Sequence, residues 1–341
     1  MSVAMRRKAL IIISSAHDLR IAEPAHVGSI STGFFLVELA EILRTFGDEY
    51  DFTFATPDGR APQLDINGIA LAMHAGSAFG LTIGLTMIEQ AGRKPDIQGL
   101  RRRHRGLAER REREVRLLEQ HLGGIPVSRI LPNTEPELVE YREELVERLS
   151  NLPAIPFASL ETIVQRHRDR SDAFNLAEFD FVHVPGGHAP MADLTSDAWL
   201  GETLHVVREN GGVISLICHG PVALASTWWR VDEDGEPYRL VENAFTAAKV
   251  TVADKRSELI AFTVSYPHVP GERSRPTSYA DEILRDAGFS LAGTINPTSA
   301  RAVYDSELRV LTGNGPQAID VQTSRLSQAL VGIRQGLPAS R

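Results

Sequence analysis

Cysteine is almost absent from this chain: Cys218 stands alone among 341 residues. One thiol excludes an intrachain disulfide framework and any cysteine-based zinc cluster, and a free thiol suits a reducing compartment. An excess of positive charge is missing too. The formal net charge is -8 at pH 7, which speaks against nucleic acid as the main partner. Long apolar runs are lacking, since no stretch comes near the ~18 consecutive apolar residues of a membrane span. Arg6, Arg7 and Lys8 ahead of Ala9 to Ile13 imitate a secretion signal, but Ser14, Ser15, His17 and Asp18 close that short core without a cleavage-type site. The expected location is therefore cytoplasmic, with no membrane and no nucleic acid as partner. Neither an internal repeat nor a low-complexity linker interrupts the chain.

What is present suits a folded core. Hydrophobic residues make up 43% and charged residues 23%, ordinary values for a globular protein. The length admits two average domains or one α/β domain with a large insertion, and the element pattern favours the second. Lys8 to Ser15 is a β-rich apolar run of the kind buried on both faces of a parallel sheet. Ser31 or Thr32 then offers an N-cap for a helix over Phe34 to Phe46, and Tyr50 to Thr56 is a second strand. Strand, helix, strand at this spacing predicts a right-handed crossover and a parallel sheet. Phe179 to Val184 and Val213 to Ile217 read as further strands, with a helix over Asp193 to Asn210 between them. Val310 to Gly313 is the last strand, followed by a helix running through Leu330. Between them, 77–175 departs from this grammar. Arg101 to Gln120 is a basic helical stretch and Glu135 to Leu149 an acidic one with a Leu138, Tyr141, Leu145, Leu149 stripe. The simplest reading is a helical insertion, within a single domain over 1–341, whose two charged arms lie together or on the body.

The chemistry-bearing residues cluster at strand ends. Val213 to Ile217 leads straight into Cys218-His219-Gly220-Pro221, a strand that breaks sharply before a helix and so lifts its last side chain above the sheet edge. The partial positive charge of a helix N-terminus would favour thiolate at Cys218. His219, as the next residue, is expected to point away from the sulfur and to support the site or relay protons. Pro185-Gly186-Gly187-His188 closes the neighbouring strand, and two glycines there let backbone N–H groups approach a ligand. The N–H groups of Cys218, His219, Gly187 and His188 are candidate oxyanion donors. Glu38 sits among Phe34, Phe35, Leu36, Val37 and Leu39, and a carboxylate in so apolar a place needs a partner or a proton.

Four segments in this order resemble the ThiJ/PfpI superfamily: Thr32-Gly33-Phe34-Phe35 ahead of Glu38, Pro185 to His188 with Asp193-Leu194, the Cys218 elbow, and Leu311 to Pro316. The branch they are most similar to contains glutathione-independent glyoxalases (glyoxalase III) and stress chaperones. The resemblance covers roughly Lys8 to Thr56 and Glu178 to Leu330, and leaves the insertion unexplained. It implies a flavodoxin-like three-layer α/β sandwich with a mostly parallel sheet, no bound cofactor, and a homodimer. It also implies Cys218, His219 and Glu38 as catalytic residues and Gly186, Gly187 and His188 as the oxyanion and substrate-binding loop. In that family a first-helix glutamate reaches the cysteine, so Glu38 is expected within hydrogen-bond reach of the sulfur. The implied substrate is a small α-oxoaldehyde, methylglyoxal giving D-lactate. Another cysteine-dependent hydrolase, hydratase or protein deglycase, or a non-catalytic chaperone or redox sensor, are the alternatives. Ala189-Pro190 and Ala192 depart from the common family pattern beside the cysteine. Glu242 and Asp254 are the candidates for an acid that orients the histidine. His17, His26 and His74 match no metal-binding spacing, so no metal is expected.

Overall fold

The computed structural model describes residues 6–335 apart from 93, 294, 295 and 297. The apolar runs become a seven-stranded sheet: β1 (Arg7–Ile12), β2 (Tyr50–Thr56), β3 (Ala158–Ser159), β4 (Phe179–Val184), β5 (Val213–Ile217), β6 (Ala302–Asp305) and β7 (Val310–Gly313). Their spatial order is β6-β7-β5-β4-β1-β2-β3. Every pairing is parallel except that of β6 with β7. Side chains alternate between two cores: Ala9 and Ile11 face one, Leu10 and Ile12 the other. Because both faces are covered, the strands read as unbroken apolar runs. Each fully buried aliphatic side chain contributes about 1.5–3 kcal/mol against exposure.

Helices fill both layers. The first core takes α1 (Leu36–Phe46), and the second takes residues of the 160–168, 198–209 and 280–286 helices. Helix α1 begins two residues later than the sequence suggests. Phe35 is its extended N-cap without a side-chain bond, because the Thr32 hydroxyl donates instead to buried Asp65 at 3.1 Å. From Leu36 to Leu43 every residue of α1 is buried, the acidic ones included.

The insertion supplies α2 (Phe79–Gln90), α3 (Ile97–Arg103), α4 (Arg105–Leu122), α5 (Pro136–Ser150) and α6 (Leu160–Arg168), and also the edge strand β3. The basic stretch is two helices parted at His104, rather than one. Its α4 covers α1, placing Val115, Leu118 and Leu122 in the first core with Leu138, Leu145 and Leu149 of α5. The charged arms do meet, through Arg111–Glu137 at 2.8 Å and Arg148–Glu112 at 3.0 Å. One sequence expectation needs correction. Among the described residues, Leu71–Gln90 is a helical stretch long and apolar enough to cross a membrane by length and composition. It is not one straight helix: Gly76, at φ 54°, breaks it, and Leu71 to His74 are buried in the body.

The helix expected over Asp193 to Asn210 is likewise divided, into α7 (Pro190–Asp193) and α8 (Ala198–Glu209). Asp193, the last residue of α7, turns to the loop after β1: its carboxylate accepts from Ser14 Oγ at 2.6 Å and from the N–H of Ser15 at 2.9 Å. Three more helices complete the chain: α9 (Lys255–Val264), α10 (Ala280–Asp286) and α11 (Ile319–Arg334). The chain runs outward from β1 toward β2 on one side and from β4 toward β5 on the other. In such open sheets ligands bind beyond the carboxyl ends of the strands where this reversal occurs.

Candidate active site

The reversal brings together residues far apart in sequence. Cys218 follows β5 with φ 59°, a left-handed backbone uncommon outside glycine that costs on the order of 1–3 kcal/mol. Its carbonyl is held by the N–H of Ala253 at 3.0 Å and its N–H by the carbonyl of Gly313 at 2.9 Å. That N–H is therefore committed to the sheet and is not the oxyanion donor the sequence suggested. The elbow continues as a 3-10 helix, Gly220–Trp228, rather than an α-helix. Gly186 packs on the elbow so closely that a Cβ there would lie 2.6 Å from the Cys218 Cβ.

Glu38 reaches the same point from the opposite layer. It is fully buried, and one carboxylate oxygen accepts the Gly186 N–H at 2.7 Å. Gly186 thus holds the carboxyl rather than offering a free donor. The Glu38 carboxyl faces the Cys218 thiol closely enough for each to shift the other, and the Gly187 N–H favours the thiolate, yet Glu38 Oε1 makes no hydrogen bond, so the expected bond to the sulfur is not formed. Burial raises the Glu38 carboxyl to about 8, against the lowering pull of the Gly186 hydrogen bond, so it carries a proton at neutral pH. Burial also pushes the Cys218 thiol well above its ordinary value, reinforced by the negative charges of Glu38 and Glu258. Burial and these charges work against the resting thiolate that a helix end suggests.

His219 does not point away. Its Nδ1 lies 3.3 Å from the Cys218 sulfur. Burial lowers its pKa, leaving a neutral imidazole able to accept the thiol proton. Its Nε2 lies 3.2 Å from Glu258 Oε1, somewhat off the hydrogen-bond line. The other oxygen of Glu258 bonds His188 Nε2 at 2.9 Å, and His188 Nδ1 meets the Tyr266 hydroxyl at 2.8 Å. The two imidazole rings lie with centroids 4.4 Å apart, tilted by 39°. Burial alone would raise Glu258, but His188 and His219 together outweigh it and hold the carboxyl far below its usual range. His188 is raised in turn, the charge of Glu258 overcoming its desolvation.

The orienting acid is therefore Glu258, not Glu242 or Asp254. Glu242 is exposed, and Asp254 instead caps α9 by accepting the Ser257 N–H at 2.9 Å. Lys255-Arg256-Ser257 hides Glu258 behind what reads as a solvated helix start. The available signal was Asp254 as an N-cap, which turns Glu258 toward the body one turn later. His183 also went unnoticed inside its strand. Its Nε2 bonds the Glu38 carbonyl at 2.9 Å and its Nδ1 bonds Ser215 Oγ at 3.1 Å, tying α1 to both central strands. Burial brings its pKa down to about 4, so it stays neutral.

The histidines set aside as metal candidates lie apart. His74 pairs with Glu114, His26 with Glu272, and His17 with the Ala61 carbonyl. His188, His219 and Glu258 do place one potential ligand atom each within 4.8 Å of one another. Those atoms already face each other as histidine and carboxylate partners.

Residues 163–258 match the family described as DJ-1/PfpI, a segment that includes His188, Cys218, His219 and Glu258 but not Glu38. The chain is 29% identical over 154 residues to a probable glutathione-independent glyoxalase of Schizosaccharomyces pombe, covering 45% of this chain and 54% of that protein. It is 26% identical over 167 residues to a second glutathione-independent glyoxalase of the same organism, covering 49% and 62%. The chain thus spans little more than half the length of these curated relatives. In overall shape it resembles the Rapid Encystment Protein 24 KDa of Francisella tularensis, with a TM-score of 0.53 at 16% identity, covering 96% of this chain and 99% of the other. That likeness concerns the fold alone.

Proposed function

We propose, from the premise that this chain belongs to the ThiJ/PfpI superfamily, that it is a cofactor-free enzyme converting an α-oxoaldehyde to a 2-hydroxy acid, methylglyoxal to D-lactate being the simplest case. The observation that carries the reading is the surroundings of one sulfur: a neutral imidazole at 3.3 Å, a buried carboxyl and a backbone N–H. Relatives named as glutathione-independent glyoxalases support the choice of reaction.

The thiol of Cys218 adds to the aldehyde carbon while His219 Nδ1 takes its proton and returns it to the new hydroxyl, giving a hemithioacetal. The N–H groups of Gly187 and His219 stabilise negative charge on that oxygen. His219 then removes the remaining hydrogen from the former aldehyde carbon as the protonated Glu38 donates to the neighbouring ketone oxygen, forming an enediol. Reprotonation at the second carbon by the imidazolium, with return of the other proton to Glu38, leaves a thioester. Water, activated by His219, hydrolyses it to the hydroxy acid and frees the thiol. The oxidation of one carbon is matched by reduction of its neighbour, so atoms and electrons balance with water alone. Glu258 keeps the His219 ring oriented and stabilises its imidazolium.

The test is production of D-lactate from methylglyoxal by the purified chain without glutathione. Cys218→Ala is expected to lower the rate by at least about 10⁴-fold with an unchanged circular dichroism spectrum. Absence of product from the unaltered chain sinks the reading.

A further inference from the structure

The space above Cys218 is lined mostly by apolar side chains. It is a cavity of about 250 Å³ whose floor holds His188, Cys218, His219 and Glu258. Its walls are Phe35 and three residues of α2, Phe79, Ile83 and Met87, faced by Ile260 and Val264 of α9. The α2 residues recur every four positions and so form one row along the helix. Among the described residues no lysine or arginine lines the cavity, and the one imidazole with a raised pKa, His188, is held by Glu258 on its floor, so the walls offer no cation to a phosphate or carboxylate on a substrate. Gly84, between Ile83 and Leu85, faces open space: a Cβ built on it meets nothing within 4 Å. For scale, an apolar cavity of ~150 Å³ accommodates a benzene ring.

We infer that the substrate carries an uncharged apolar substituent of about the size of a phenyl ring, which the α2–α9 walls hold while Cys218 engages the carbonyl. This rests on the proposed oxoaldehyde reaction for its chemistry, but the binding preference belongs to the walls. The insertion thereby becomes the specificity element: α2 contributes no group to the reaction but three of the large apolar wall residues. A methyl substituent leaves most of that lining facing water, whereas a phenyl ring covers it. A single added methylene in a fitted apolar pocket changes selectivity by about 10–200-fold.

Two readouts separate this inference from the reaction it rests on. The first is alkylation of Cys218 by iodoacetanilide against iodoacetamide, followed by intact mass and normalised to the same pair of rates with free glutathione. A preference for the anilide of about tenfold or more is expected. It should fall toward the glutathione ratio in Ile83→Gln with Met87→Gln, and also in Gly84→Leu, which fills the space without left-handed strain. The second readout is the kcat/KM ratio of phenylglyoxal, giving mandelate, to methylglyoxal, giving lactate, which should drop in the same variants. No anilide preference, or a preference untouched by every variant, overturns the inference. An anilide preference without turnover of either oxoaldehyde leaves the inference standing and removes the proposed reaction. Lactate formation without anilide preference does the reverse.

Discussion

Glu38 and Glu137 are both carboxylates taken almost wholly out of water, 0% and 1% exposed, yet they end in opposite states. Glu137, in the insertion, receives both terminal nitrogens of Arg111 at 2.8 Å and the Nε of Arg101 at 2.8 Å. Burial works against its charge, but Arg111 and Arg101 outweigh it and hold the carboxyl below its ordinary value. The Arg111 guanidinium lies 4.1 Å from the centre of the Tyr141 ring as well. Among the described residues no lysine or arginine meets Glu38; only the Gly186 N–H, the Cys218 thiol and the charge of His188 act on it, and burial wins. Burial therefore does not set the state of a carboxyl; the partner does. In the insertion the partner fixes two helices together. At the sheet edge its absence leaves an acid with a proton to give near neutral pH.

The largest test of this contrast is to take away the partner. Arg111→Ala should destabilise the protein by about 3–5 kcal/mol in urea denaturation, because Glu137 would be left with a half-satisfied buried charge. If the loss is under 1 kcal/mol, the pair is not what secures α4 to α5. Next, Glu38→Gln keeps the side chain's size and its hydrogen-bonding groups but cannot cycle a proton. It should lower kcat by about 10²-fold. In the unaltered chain the proposed activity should fall as pH rises through about 8, where the Glu38 proton is lost, and that alkaline limb should vanish in the variant.

The same group makes a stability prediction with a definite sign. Its folded pKa of about 8 exceeds the ordinary 4.5, so the folded state holds a proton that the unfolded state releases between those values. Its contribution is complete below about 4.5 and is lost as pH rises through 8, by a few kcal/mol at most order. Thermal unfolding of Glu38→Gln should show a flatter decline over that window. A decline equal to that of the unaltered chain would mean Glu38 is ionised at neutral pH after all. The smallest expected effect is that of Glu258→Gln. It should cost about tenfold in kcat/KM and move the acid limb to lower pH, since Glu258 is what raises the His219 imidazole against its burial. An unmoved acid limb would show that Glu258 only packs.

How far these residues could be read before folding differed with the kind of signal. Cys218 and Gly186–Gly187 announced themselves because a strand ending in such residues has no bland use. Glu38 was legible because its neighbours were all apolar. Glu258 was not, because Lys255, Arg256 and Ser257 make a solvated-looking helix start, and only the turn of α9 aims its fourth residue inward. The direction of the His219 ring was misjudged for a related reason. Adjacency in sequence suggests opposite directions along a strand, but the positive φ at Cys218 abolishes that alternation. The thiol's state was misjudged because a helix end is visible in sequence and desolvation is not.

The sequence by itself determined the architecture: apolar runs at βαβ spacing specify a parallel sheet covered on both faces, and local periodicity carries that information. It also singled out Cys218, Glu38 and the Gly186–Gly187 turn as candidates for chemistry. Tertiary structure alone decided which of them meet, since Glu38, Gly187, Cys218 and Glu258 arrive from four distant segments through the reversal of strand order. It decided their proton states too, because those depend on how completely water is excluded and on which charges stand opposite. The apolar room above the sulfur belongs to the same class. Phe79, Ile83 and Met87 look like core residues in sequence, and only the placement of α2 across from α9 makes them the walls of a site.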